Sequence, residues 1–295
     1  MITRKYLIRA IIFNFMIENL KFFFGNNTRA LEILYLLEGI KRAVRLDANE
    51  IELGKIKEFC QKENLHFEVS DFKVVKITDD GKGKYSNIVK RIPLNYFDRG
   101  LYHVYISKDK AIAKFLKFLE NKNDDGAVGK LLGYPKCCVD FFLKNKEEQK
   151  HIQNDYILPA LKNSEGFKFP FYANYAARYF DVALMSHFPH SFDCKDSIGI
   201  AKKNLECIKK YSKELANKFE EMLKGAVLYT ERDGVFIFKD YKFSDNTIRF
   251  NKILSTTNNE LFNLLNKSKE FTIISKNKVK IGNNIIDDAG FMVFV

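Results

Sequence analysis

The chain contains no tryptophan among its 295 residues, and only five cysteines and five histidines. So few cysteines in so long a chain exclude a disulfide scaffold; where cysteines cluster in a cytosolic protein, metal binding or catalysis is the commoner use. The chain also lacks any run of the roughly 18–20 apolar residues needed to span a bilayer. No P-loop, GxGxxG or HExxH signature occurs, and GKGK at 81–84 is too short to cradle phosphate. The opening MITRKYLIRAIIFNFMIENLKFFF fails as a signal peptide, because Arg9, Asn14 and Glu18 interrupt it and no small-residue cleavage site follows. It reads as a buried amphipathic helix, and the protein as cytoplasmic.

Phenylalanine is abundant instead: 28 Phe and 14 Tyr predict Phe-rich cores. Hydrophobic residues make up 46% and charged residues 29%, a globular composition. Lys plus Arg number 49 against 37 Asp plus Glu, a formal charge of +12. That balance suits nucleic acid or another polyanion as partner, although lysines spread along amphipathic helices would produce it too. Oligomeric state is not legible.

The expected fold class is α+β, in three sections. Residues 1–122 form an α/β section. Helices are expected over 4–24, from Thr28 through Val44, and from Asn49 to Lys62. HFEVSDFKVVKI reads as one or two strands, followed by a DDGKGK turn. GLYHVYIS is a further strand, leading to a helix capped by Ser107 or its neighbour. NKNDDG at 121–126 is the best loop or linker. Residues 123–224 form a helical Cys/His section ending in one long helix from Asp193 to Lys224. Residues 225–295 form a small β-rich section of about six strands and one helix, a partly open barrel or curled sheet.

The chemistry concentrates in two short stretches. In GYPKCCVDFF, Gly133 permits a turn and Pro135 suits the first helical position. Cys137 and Cys138 then fall in the first helical turn, where unpaired N–H groups and the helix dipole favour thiolate. Adjacent helical residues point about 100° apart, so both can serve one metal only at a helix end. Otherwise one faces the site and the other packs inward. In SHFPHSFDCKDS, Pro189 precludes a regular helix through His187 and His190. Ser191 or Asp193 is the expected N-cap, with Cys194 in the first turn. Cys and His at two helix starts follow the logic of a closed four-ligand zinc site, or part of an iron–sulfur site.

The expected metal ligands are therefore Cys137, Cys138, His187, His190 and Cys194, with zinc the expected ion and an iron–sulfur cluster the alternative. If the metal site is catalytic, one of the two adjacent cysteines or a metal-bound water is the reactive group, with Asp140 or Asp193 a candidate base. A metal-free enzyme would instead use Cys137 or Cys138 as nucleophile and His187 or His190 as base. A third reading is a basic RNA- or DNA-binding module, in which Tyr229, Phe236, Phe238, Tyr241 and Phe250 would form a stacking face, although core packing is the commoner role for such residues. Cys60 and Cys207 read as core residues, His66 and His103 as structural, and His151 as a surface residue.

GAVGKLLGYPKCCVDFF and SHFPHSFDCKDSIGIAKK, and more weakly KGAVLYTERDGVFIF, resemble a prokaryotic family, domain-of-unknown-function family 483. The resemblance implies a Gly-x-Pro-x-Cys-Cys segment paired with a later His-x-Pro-Cys-x-x-x-Cys-like one, and no particular activity. His190 follows Pro189 where that pattern has Cys, a departure that disfavours an iron–sulfur cluster. The resemblance supports treating the five candidate ligands as one set.

Overall fold

The computed structural model of the chain describes residues 16–76, 89–96, 100–151 and 155–295. The DDGKGK turn, most of the N-terminal stretch and the side chain of His151 lie outside the described residues. Two sheets organise the chain, which is α+β, and each sheet anchors one of two compact units.

In the first unit, residues 16–24 are helical (α1). The next helix, α2 (Asn27–Leu37), starts where the Asn26 side chain accepts from the Arg29 amide. The expected continuation to Val44 does not occur. The amides of Ile40 and Lys41 fold back onto the Tyr35 carbonyl, and Gly39 takes a left-handed φ of +73°. Those bonds close the helix end. Ala43 and Val44, apolar as a helix face requires, instead open strand β1 (Ala43–Ala48), pairing with Ser107 and Ile106.

A reciprocal capping box between Asn49 and Glu52 begins α3 (Glu50–Lys62), close to the expected start at Asn49. HFEVSDFKVVK forms one strand, β2 (His66–Lys76), with an irregularity between Val69 and Lys73 where it pairs with its neighbour. Then follow β3 (Val89–Pro93), which sequence reading missed, and β4 (Leu101–Ser107). The sheet is antiparallel in the order β1-β4-β2-β3. The helix α4 (Lys110–Asn121) is capped by Asp109, two residues beyond Ser107. With α5 (Asp125–Leu131) it buries Leu116, Leu119 and Val128 against Ala43 and Tyr105.

One buried charge stands out in this unit. Glu120 lies on the inner face of α4, its side chain 3% exposed. Its carboxylate meets Arg45 Nη1 and Arg91 Nη2, each at 2.9 Å, with His103 Nδ1 at 3.7 Å. Burial works to raise this carboxyl, but His103 and Arg45 outweigh it and bring it down to about 2.

From here run α6 (Lys136–His151) and α7 (Ile157–Lys162), and later α8 (Lys195–Tyr211) and α9 (Lys213–Leu223). The single long helix expected from Asp193 to Lys224 is therefore two. Ser212 makes the break: its amide still bonds Ile208 O, while its hydroxyl accepts from Leu215 N and caps α9.

The second unit is built on a larger sheet, with β5 (Lys168–Phe169) at one edge. It holds β6 (Gly225–Thr230), β7 (Gly234–Ser244), β8 (Thr247–Ser255), β9 (Glu270–Ser275), β10 (Lys278–Ile281), β11 (Asn284–Asp287) and β12 (Ala289–Phe294). Among the described residues its order is β11-β10-β9-β8-β7-β6-β12-β5. The short hairpin strand β11 escaped sequence reading, because NIID follows KVKI after only a two-residue turn. The one helix in this section, α10 (Glu260–Ser268), is capped by Asn259. Phe236, Phe238, Phe250, Phe271 and Phe291 form its core, as the Phe-rich composition predicts. Tyr229, Phe236, Phe238 and Phe250 are thus buried, and Tyr241 partly so. They pack the sheet and cannot serve as an exposed stacking face. No helix among the described residues is long and apolar enough to cross a membrane.

Candidate metal centre

The approach to the cysteine pair is set by the end of α5. Gly133 has φ +82°, its amide donates to Lys130 O, and the Tyr134 amide donates to Gly129 O at 3.0 Å. This double closure needs a left-handed residue at position 133. A Cβ added to Gly133 would meet nothing within 4 Å, so a Gly133→Ala change costs only its backbone strain. Urea denaturation should show a loss of about 1–2 kcal/mol; no loss would mean that the turn refolds freely.

The Pro135 carbonyl then accepts from the Cys138 and Val139 amides, both at 3.0 Å, so Pro135 stands one residue before the helix and Lys136 starts it. Cys137 and Cys138 occupy the first turn, their sulfurs 3.9 Å apart. Cys138 is buried and Cys137 half-buried.

SHFPHSFDC is held by a separate set of bonds. Asn163 Nδ2 donates to His190 O, and the Phe192 amide donates to Ser164 Oγ at 2.8 Å. Phe192 is fully buried against Phe169 and Phe294. The N-cap of α8 is neither Ser191 nor Asp193 but Cys194: Ile198 N donates to its carbonyl, and Ser197 N points at its sulfur, 3.5 Å away. Asp193 is engaged elsewhere, accepting from the Glu165 amide. Burial works to raise its carboxyl, but hydrogen bonds from Ser191 and Glu165 lower it below the usual range.

Four residues come together. Cys137, Cys138, His190 and Cys194 each offer one ligand atom, and these atoms all lie within 4.8 Å of one another. The fifth expected ligand, His187, is buried, and its Nε2 lies 2.8 Å from Ser197 Oγ; it is not one of the four. Asp140 is exposed and paired with Lys136 one turn earlier on α6. Ser197 was not foreseen as a site residue. The signal was available, since it stands three residues after Cys194, at the spacing of a helix cap.

The remaining cysteines behave as packing residues. Burial pushes the Cys60 thiol up to about 12 and the Cys207 thiol up to about 11, the latter with help from Glu38. Such thiols are inert at neutral pH. Iodoacetamide should label neither in folded protein within the time that it labels both in urea, as read by peptide mass mapping. Of the two structural histidines, His103 lies in β4 with Nε2 3.3 Å from Asp47, and His66 begins β2.

The chain is thus an α+β protein with a Cys3His cluster that could hold a metal ion. Residues 98–224 match a family model described as Protein of unknown function (DUF483), the family that the cysteine and histidine segments resemble. The match takes in all four clustered residues and ends at residue 224, so nearly all of KGAVLYTERDGVFIF lies beyond it. No curated protein and no solved structure matches the chain.

Proposed function

We propose that the protein binds one zinc ion through Cys137, Cys138, His190 and Cys194, in a closed site whose role is structural. The observation that carries this reading is the spread of the four ligand atoms, at most 4.8 Å. Zinc bonds of about 2.0–2.3 Å in a tetrahedron put neighbouring ligand atoms roughly 3.5–3.8 Å apart. The 3.9 Å between the Cys137 and Cys138 sulfurs is close to that already. An iron–sulfur cluster distributes its ligands over several metal atoms and needs a wider cage. Three thiolates and an imidazole suit zinc by softness. Four protein ligands fill a tetrahedron, whereas catalytic zinc sites keep a position open for water. The Ser197 amide aimed at Cys194 supports the thiolate form there.

The test is elemental analysis of protein purified without oxygen. About one zinc per chain is expected, together with a cobalt-substituted form showing the absorption of tetrahedral cobalt–thiolate. Stoichiometric iron with visible charge-transfer bands would overturn zinc in favour of a cluster. Metal-free protein in which one cysteine is alkylated rapidly without chelator would favour the alternative, a thiol nucleophile with a histidine as base.

A further inference from the structure

The outer face of α4 presents two phenylalanines to solvent. Phe115 is 52% exposed and Phe118 is 53% exposed. Their rings lie nearly parallel, at an interplanar angle of 13° with centroids 6.2 Å apart. The helix needs neither for its packing, since Ala113, Leu116 and Leu119 fill its buried face. Lysines surround the pair. Lys110 and Lys114 are exposed one turn apart on the same helix, and Lys122 Nζ stands 5.8 Å from the Phe118 ring centroid. Among the described residues no acidic side chain pairs with these three; Lys117 alone on this face is neutralised, by Asp71 at 2.7 Å.

We propose that this face of α4 binds single-stranded nucleic acid, with bases stacked on Phe115 and Phe118 and the phosphate backbone following Lys110, Lys114 and Lys122. Exposed flat aromatics interleaved with unpaired cations form the general platform for single strands, since every base has a stacking face and every phosphate a charge. The chain's charge of +12 acts in the same direction. A second copy of this helix would set lysine against lysine. A lipid surface is a poorer match: insertion needs a broad apolar face, and α4 offers two rings, its other large apolar side chains being in the core. The proposal is independent of the zinc reading, because no clustered ligand lies on α4.

Fluorescence anisotropy of labelled fifteen-nucleotide dT and rU strands tests it, with a duplex for comparison. Both single strands should bind at low salt and the duplex more weakly. The double variant Phe115→Ala/Phe118→Ala should weaken binding about tenfold or more. Lys110→Gln and Lys114→Gln should each reduce the slope of log affinity against log salt by about 0.7. Because the chain has no tryptophan, Phe118→Trp creates a single emitter whose fluorescence should be quenched as a base stacks on it. That readout stands even if the alanine variant proves unstable. No binding of either strand at low salt, an unquenched tryptophan at saturation, or binding to phosphatidylserine vesicles in place of oligonucleotide would each overturn the proposal.

Discussion

Cys194→Ala and Cys138→Ala are each expected to lower zinc from about one per chain to a small fraction, measured by elemental analysis after gel filtration. A structural zinc site in a small peptide is worth roughly 10–16 kcal/mol of apparent binding energy, spread over four bonds. Removing one thiolate leaves an open, weaker site that loses zinc on dilution. The same variants should melt at a lower temperature than wild type, and chelator should lower the wild-type midpoint toward theirs. Cys60→Ser and Cys207→Ala, whose parent thiols are buried away from the cluster, should retain full zinc. Three histidine variants separate ligand from support. His190→Ala should lose zinc, while His190→Cys should keep it, because Cys supplies an equivalent ligand. His187→Ala should keep zinc with an affinity about 10–100-fold lower. Its imidazole bonds Ser197, whose amide points at Cys194, and such outer contacts are worth about that much. A His187→Ala protein without zinc would make His187 a ligand and overturn the four-residue set.

Glu120→Ala is expected to cost about 3 kcal/mol in urea denaturation at pH 7. The carboxylate is almost fully buried, whereas Arg45 and Arg91 keep about a third of their side chains in solvent. Removing the acid leaves two guanidinium groups without their shared carboxylate, Arg91 keeping only the backbone carbonyl of residue 120 and Asn123 Oδ1. Breaking a buried pair from one side typically costs about 3–5 kcal/mol, and the partial exposure of both arginines places this case at the lower end. The pH dependence follows from the sign of the shift. The folded carboxyl is held down to about 2, below its unfolded value of roughly 4.3. Its contribution is therefore present in full above about pH 5 and is lost as pH falls from there toward 2. Wild type should lose stability across that window, and Glu120→Gln should lose less of it, starting from a lower value. Equal acid sensitivity in both proteins would show that other carboxylates control the acid limb.

Both predictions rest on side chains far apart in the chain, of which residue type and helix-end placement grouped only the cysteines and histidines. Glu120 meets Arg45 across 75 positions, and Cys138 reaches Cys194 across more than fifty. The local elements were legible for a different reason. Asn49 with Glu52, Asn259 before ELFNLL, and Gly133 before Pro135 act within three or four residues, so their chemistry can be read in order along the chain. Where local preference was neutral, the reading erred. Ala43 and Val44 fit a helix face or a strand equally well, and the partner strand β4 decided. Ser212 sits inside an unbroken apolar period, yet its hydroxyl starts a new helix.

By itself, then, the sequence determined the α+β class, the Phe-rich cores, and the placing of cysteines at helix starts, because composition, periodicity and capping act over one or two turns. Of the five ligands expected from the sequence, tertiary structure alone decided that four cluster, both adjacent cysteines with His190 and Cys194, and that His187 lies against Ser197 instead. It also buried the aromatics of the C-terminal sheet while leaving Phe115 and Phe118 in water. Whether a given side chain meets a partner, a core or solvent depends on how distant segments pack, and nothing within a few residues of it encodes that.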